Sequence, residues 1–303
     1  MANLTRREML GAVPAAMVTA YALEGRVGAQ GAPAPYVPKA LGVQLYTVRS
    51  QLGDLDKTLG AIKAVGFDEV ETLRPIVKAI PPLLKKHGLK APSGHFDAAL
   101  VLDLGEAGKK SLEGYTLDQA IADAKAADMQ YFVLPYIGAG DRTSLDDYKR
   151  HAEAMNTAAA TLKKAGLQFC YHHHSFEFVK YGEQTGWDVL VERLDKELVG
   201  FECDVFWLAA AGLDPAATIT KLGKRVKLVH LKDRSAGAPE LDESKVPKER
   251  FKEVGSGTLD MPAILKAAKA VGVAHYFVEQ DQVPADPIAS LKQSVTYLRG
   301  LKA

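Results

Sequence analysis

The sequence predicts a single-domain (β/α)8 TIM barrel over residues 40–303, on three observations. Short apolar runs alternate with amphipathic helical patterns eight times in series from residue 40 onward. The runs are continuously apolar, as strands of a parallel sheet covered on its outside are. Polar residues gather just beyond the runs, where a barrel of this kind collects its functional side chains at one mouth. A doubly wound open sheet is the main alternative, but no G-x-G-x-x-G turn follows the first run.

The expected strands are 42–46, 69–72, 91–96, 131–135, 168–172, 199–204, 226–231 and 275–279. Their helices are expected at 55–64, closed by Gly66, at 76–86 with a break at Pro81-Pro82, and at 117–127. The remaining helices are expected at 145–165, 187–194, 215–222, 261–270 and 288–301. The longest irregular piece, Asp233 to Val254, is rich in charge and follows the seventh strand, where a barrel keeps functional loops.

Composition narrows the function. The 303 residues are 47% apolar and 25% charged, ordinary material for a folded core. A net charge of +1 gives no electrostatic footprint for nucleic acid or an anionic membrane. Cys170 and Cys203 both fall in expected strands and read as buried free thiols. At the N-terminus, Thr5-Arg6-Arg7-Glu8-Met9-Leu10 precedes a weakly apolar run and Val27-Gly28-Ala29. That layout reads as a twin-arginine export signal over 1–29, cleaved near Ala29 and followed by a Pro-rich linker at 30–39. The expected destination is the periplasm, with no membrane association once the signal is removed.

The chemistry is expected at the strand ends. Phe169-Cys170-Tyr171-His172-His173-His174-Ser175-Phe176-Glu177-Phe178 runs from an apolar strand into a polar cluster. Glu177, Asp204, His230 and Glu279 come from four successive strand ends. Three carboxylates and an imidazole suit one divalent metal ion, Mn²⁺ first, with Mg²⁺, Co²⁺ or Zn²⁺ as alternatives. His172 and His174 are candidate acid/base groups, because imidazole titrates near neutrality. Lys232 is a candidate for neutralising a developing oxyanion, or else a strand-end lysine paired with Asp233 or Glu202. Gln44, Tyr46, His95 and Trp207 are candidate substrate-binding residues, Tyr46 and Trp207 as stacking surfaces for a sugar's apolar face.

Gly42-Val43-Gln44-Leu45-Tyr46-Thr47, Tyr171 to Phe178, Asp204-Val205-Phe206-Trp207, Val229-His230-Leu231-Lys232-Asp233, Gly255-Ser256-Gly257 and Val278-Glu279-Gln280-Asp281 together resemble the sugar phosphate isomerase/epimerase superfamily of xylose isomerase-like barrels. The resemblance spans residues 40–303. It implies a divalent metal held by Glu, Asp, His and Glu, and Asp204, His230 and Glu279 match that pattern. In the epimerase branch the first ligand is a glutamate on the fifth strand, with a substrate-facing glutamate a few residues later. Here that strand carries histidines, so either Glu177 or a neighbouring histidine is expected to complete the set.

The expected function is therefore metal-dependent isomerisation or epimerisation of a non-phosphorylated sugar or keto-sugar through an enediolate. The alternatives are a metal-dependent lyase or hydratase acting on 3-keto-glycosides and a non-catalytic sugar-binding barrel. An endonuclease IV-like nuclease, which needs more histidines and a basic groove, fits neither the charge nor the export pattern. The expected partner is a small-molecule sugar, not a nucleic acid, and self-association into a homo-oligomer is compatible with the sequence.

Overall fold

A computed structural model of the protein describes residues 38–301. The twin-arginine segment and nearly all of the linker lie outside the described residues. Eight parallel strands close into a barrel: β1 (Gly42–Gln44), β2 (Glu69–Leu73), β3 (Lys90–His95), β4 (Tyr131–Leu134), β5 (Gln168–His172), β6 (Val199–Asp204), β7 (Val226–Leu231) and β8 (His275–Val278). Each strand pairs with its neighbours in sequence, and β8 pairs back onto β1 through Gly42↔Phe277 and Val43↔Val278. Closure excludes the open-sheet alternative.

Eight helices form the outer ring: α1 (Leu55–Val65), α2 (Ile80–His87), α3 (Leu117–Ala126), α4 (Leu145–Lys164), α5 (Gly186–Arg193), α6 (Pro215–Leu222), α7 (Met261–Val271) and α8 (Pro287–Gly300). Their starts are written locally. Asp54, Thr116, Ser144, Thr185, Asp214, Asp260 and Asp286 each turn a side-chain oxygen onto the free N–H groups of the first turn. Pro81 and Pro82 do not break a helix over 76–86 as expected. They sit in the first turn of α2, where a missing N–H costs nothing, and a separate short turn covers Arg74–Ile76.

Strand alternation sorts the core into two. Phe132, Phe169, Phe201, Val229 and Tyr276 face outward into the layer between strands and helices. Val133, Cys170, Leu228 and Phe277 face inward and form a separate apolar plug inside the barrel. Cys170 and Cys203 are both buried and free, on opposite sides of the wall. Two residues further along three of these strands, the inward row turns polar. His172 follows Cys170, His230 follows Leu228 and Glu279 follows Phe277, so a dry plug supports a charged layer at the C-terminal mouth.

Candidate metal centre and substrate cavity

Register brings the polar residues to one height. Asp204 pairs with His230 across β6 and β7, His172 with Glu202 across β5 and β6, and Gln44 with Glu71 across β1 and β2. His172, Asp204, His230 and Glu279 each present a ligand atom within 4.8 Å of the others, and all four are buried. Asp204, His230 and Glu279 are thus brought together as the sequence suggested.

Glu177 is not among them. A short 3-10 turn over Phe176–Phe178 folds its carboxylate back behind the barrel wall. There it accepts hydrogen bonds from Tyr171 Oη at 2.5 Å and His174 N at 2.9 Å. Burial pushes the Glu177 carboxyl up to about 7, against the pull of Tyr171. The expectation that Glu177 stands beside Asp204 is corrected: His172 takes that place.

The two histidines of the group are built alike. His230 Nδ1 faces Glu279 Oε2 at 2.8 Å and Asp204 Oδ2 at 3.7 Å, while its Nε2 lies 2.7 Å from Glu71 Oε2. His172 Nε2 faces Asp204 Oδ2 at 4.0 Å, while its Nδ1 lies 3.4 Å from Glu202 Oε2. One nitrogen of each ring thus points at the carboxylates of the group, and a further carboxylate backs the other. That is the arrangement by which proteins orient metal-binding imidazoles. His95 Nε2 ties the two backing carboxylates together, at 3.1 Å from Glu71 and 2.9 Å from Glu202.

Electrostatics point the same way. Glu71, Glu202, Asp204 and Glu279 are buried carboxylates, and among the described residues Lys232 is the permanently charged cation paired with them, at Asp204 and Glu279. Burial opposes the charge on His230, but Glu202, Glu279 and Glu71 outweigh it and raise its pKa well above the usual imidazole value. His95 is likewise lifted to about 9, burial being overcome by Glu71 and Glu202. A layer acidic enough to raise the pKa of His230 and His95, while burial holds His172 well below its usual value, is one that a divalent cation would neutralise. Lys232 marks where positive charge is wanted: its Nζ lies 2.9 Å from Asp204 Oδ2, 2.8 Å from Glu279 Oε2 and 2.7 Å from Asp281 Oδ2. The donor set therefore fits a divalent cation.

Several expectations change place. Lys232 is 1% exposed and compensates carboxylates; its partners are neither Asp233 nor Glu202. Asp233 instead accepts from the backbone N–H groups of Arg234, Gly255, Gly257 and Leu259. The Gly255-Ser256-Gly257 motif is explained by that turn. Gly255 has φ +88°, and a Cβ on Gly257 would meet Asp233 Oδ1 at 2.1 Å. Gln44 does not face substrate; it is buried, donating to Glu71 Oε2 at 2.8 Å and accepting from Tyr46 N at 2.9 Å. Glu71 and Glu202, which the sequence reading did not select, were signalled by alternation alone, since Glu202 shares the inward face with Asp204.

Above this layer opens a cavity of about 570 Å³, whose lining includes Tyr46, His95, His172, His174, Trp207 and Glu279. His174 Nδ1 and Trp207 Nε1 are buried there without a partner among the described residues. Burial and the nearby Lys232 charge hold the His174 imidazole well below its usual pKa, so the ring is neutral. His173 faces the other way, taking the Asp204 backbone N–H on Nε2 at 3.2 Å, and serves the wall.

A family model described as xylose isomerase-like TIM barrel matches residues 59–301. An inosose dehydratase of Clostridium perfringens is 30% identical over 164 residues, a match covering 51% of this chain and 54% of that protein. The chain thus spans about half the length of the curated relatives it matches at this level. A sugar phosphate isomerase/epimerase of Parabacteroides distasonis superposes with a TM-score of 0.69 at 23% identity, covering 86% of this chain and 98% of that one. The IOLI protein, whose structure holds a zinc atom, superposes with a TM-score of 0.65 at 15% identity, covering 85% and 95%. The solved structures, all below 25% identity, share the fold of this chain. The chain belongs to the xylose isomerase-like TIM barrel family.

Proposed function

We propose that the protein is a metal-dependent lyase or dehydratase that removes a proton next to the carbonyl of a non-phosphorylated keto-sugar and expels a group from the next carbon. The carrying observation is the buried group of His172, Asp204, His230 and Glu279, with Glu202 behind both histidines and Glu71 behind His230. A divalent cation held by these four would act as a Lewis acid on the substrate's carbonyl and acidify the adjacent C–H.

The remaining work falls to the chain. His174, neutral and lining the cavity, accepts the proton. The electron pair left on carbon forms the new C=C bond as the C–O bond to the leaving oxygen breaks, and that oxygen takes up the proton carried by His174, which restores the neutral base. His95, charged between Glu71 and Glu202 at the cavity wall, is positioned to donate a hydrogen bond toward it. Trp207 Nε1 offers a further donor to a substrate hydroxyl.

Two features favour elimination over the isomerase or epimerase reading. Glu177, the glutamate nearest the end of β5, is turned away, so the carboxylate pair implied for epimerisation lacks the member expected there. The inosose dehydratase of Clostridium perfringens, at 30% identity, is named for loss of water. A neutral substrate is favoured because Arg74, which lines the cavity, is already paired with Asp97 at 2.5 Å, and the rim residue Glu243 is paired with Arg142 at 3.2 Å. The twin-arginine pattern over 1–29 adds support, since phosphorylated sugars are chiefly cytoplasmic.

Metal-loaded protein incubated with a panel of keto-sugars in D₂O tests the proposal. The expected result is an unsaturated ketone with release of water or an alcohol. Deuterium appearing next to the carbonyl with nothing released would overturn elimination in favour of isomerisation or epimerisation.

A further inference from the structure

Large apolar side chains on a soluble surface are usually scattered, and a single one needs no explanation. Among the described residues only three are exposed: Tyr46 at 42%, Tyr136 at 39% and Leu213 at 39%. Two of the three, Tyr46 and Tyr136, line the same cavity, the one that opens above the candidate metal centre.

Both rings are fixed from behind. Arg49 spreads its guanidinium 4.2 Å over the Tyr46 ring while its Nη1 donates to Tyr46 O at 2.9 Å and its Nη2 to Asp281 O at 2.7 Å. Tyr136 donates its hydroxyl to Glu243 at 2.5 Å, and its ring stands edge-on to His174 at 5.3 Å and to Phe176 at 5.5 Å. Neither tyrosine is a floppy surface residue. Each is held in place at the rim, with part of its surface left to solvent, and Tyr136 sits directly against the proposed base.

The cavity of about 570 Å³ falls within the range of about 300–1,000 Å³ typical of small-molecule sites. The charges around it are matched in pairs, Arg74 with Asp97 and Arg142 with Glu243, so the rim suits a neutral ligand with hydroxyls. Aromatic faces flanked by paired polar groups are what a pyranose or aryl ring needs: an apolar face to stack on and hydrogen-bond partners at its edge.

We propose that the cavity contains two subsites: an inner one against His172, His174 and Glu279 for the reacting sugar, and an outer one framed by Tyr46 and Tyr136 for a second neutral ring joined to it. The substrate is then a glycoside rather than a free monosaccharide. This rests on the reading of the inner site as the place of reaction. The outer subsite is nevertheless testable without turnover, because stacking needs no ketone.

Binding of three unreactive probes, methyl, phenyl and glucosyl β-D-glucoside, is measured by calorimetry or ligand-observed NMR on the wild-type chain and on Tyr46→Ala and Tyr136→Ala, with thermal melts reporting folding. The two-ring probes are expected to bind the wild type at least about 5-fold tighter than methyl glucoside, the factor that one aromatic contact supplies. The phenyl and glucosyl arms separate an aryl from a sugar occupant. Each alanine variant is expected to lose most of that preference, and Tyr136→Phe, which keeps the ring, to retain it. Equal affinity for one- and two-ring probes, no binding of any of them, or a preference that survives both alanine substitutions would overturn the outer subsite. None of these results depends on the D₂O assay, so failure of the subsite and failure of the elimination reading are read separately.

Discussion

Each end of the barrel carries a histidine bonded to a glutamate at 2.8 Å: His275 to Glu69 at the N-terminal end, and His230 to Glu279 at the C-terminal mouth. As isolated pairs they are indistinguishable. They differ in company. His275 has one carboxylate and an aromatic neighbour, Tyr131, edge-on at 5.6 Å, and is 14% exposed. His230 is fully buried among Glu71, Glu202, Asp204 and Glu279. A histidine–carboxylate pair is a structural commonplace; it is the convergence of a second imidazole and three further carboxylates on one ring that makes a candidate metal site.

The sharpest way to break that comparison is to remove each histidine in turn. His230→Ala or Asp204→Ala should cost the protein its bound metal and its activity, whereas His275→Ala should leave metal content intact and cost about 1–3 kcal/mol of stability. Elemental analysis and denaturant melts read both, and a His230→Ala protein that keeps stoichiometric metal would refute the assignment of the four ligands. Next in size, His174→Ala should lower kcat by roughly 10²–10⁴-fold with metal retained, as loss of a proton acceptor does. Loss of metal in step with activity would instead make His174 a ligand.

A smaller effect is expected from Glu71→Gln, which leaves His230 in place but weakens what orients it. Metal affinity should fall about 10–100-fold, measured by competition with a chelator; an unchanged affinity would reduce Glu71 to packing. The smallest concerns Glu177. Its carboxyl titrates near 7 in the fold against an ordinary value of 4.5, so the folded chain holds more protons than the unfolded one between those limits. The stability it contributes is present below pH 4.5 and is lost as pH rises through 7, by on the order of 3 kcal/mol at most. Glu177→Gln should therefore gain on the wild type as pH rises from 4.5 to 7. A constant difference in melting across that range would show that the carboxyl is not held protonated.

How much of this could be read from the sequence depended on which signal carried it. The barrel was legible because its alternation of continuous apolar runs and helical patterns repeats from Gly42 to Gly300, and helix starts were legible from caps such as Ser144 and Asp260. Asp204, His230 and Glu279 were legible because each stands at or next to the end of an apolar strand. Glu71 and Glu202 were not singled out, because they lie within or beneath strand ends and only inward alternation distinguishes them from wall residues. Glu177 was placed wrongly because spacing along the chain cannot reveal that a 3-10 turn over Phe176–Phe178 reverses a side chain. Lys232 drew attention as a catalytic cation, yet its neighbours, which sequence cannot supply, make it a counter-charge. Pro81 and Pro82 looked like a break and are a beginning, since the same residue does either depending on where the first turn falls.

Asp233 collects backbone N–H groups from both sides of the segment that follows β7: Arg234 at its start, and Gly255, Gly257 and Leu259 at its end. A single carboxylate thus staples shut the base of a long excursion. What lies between brings Glu243 to the rim of the cavity, and Phe251 at its far end stacks on Phe206 beside Trp207, so the carboxylate that closes the loop also holds part of the cavity wall in place.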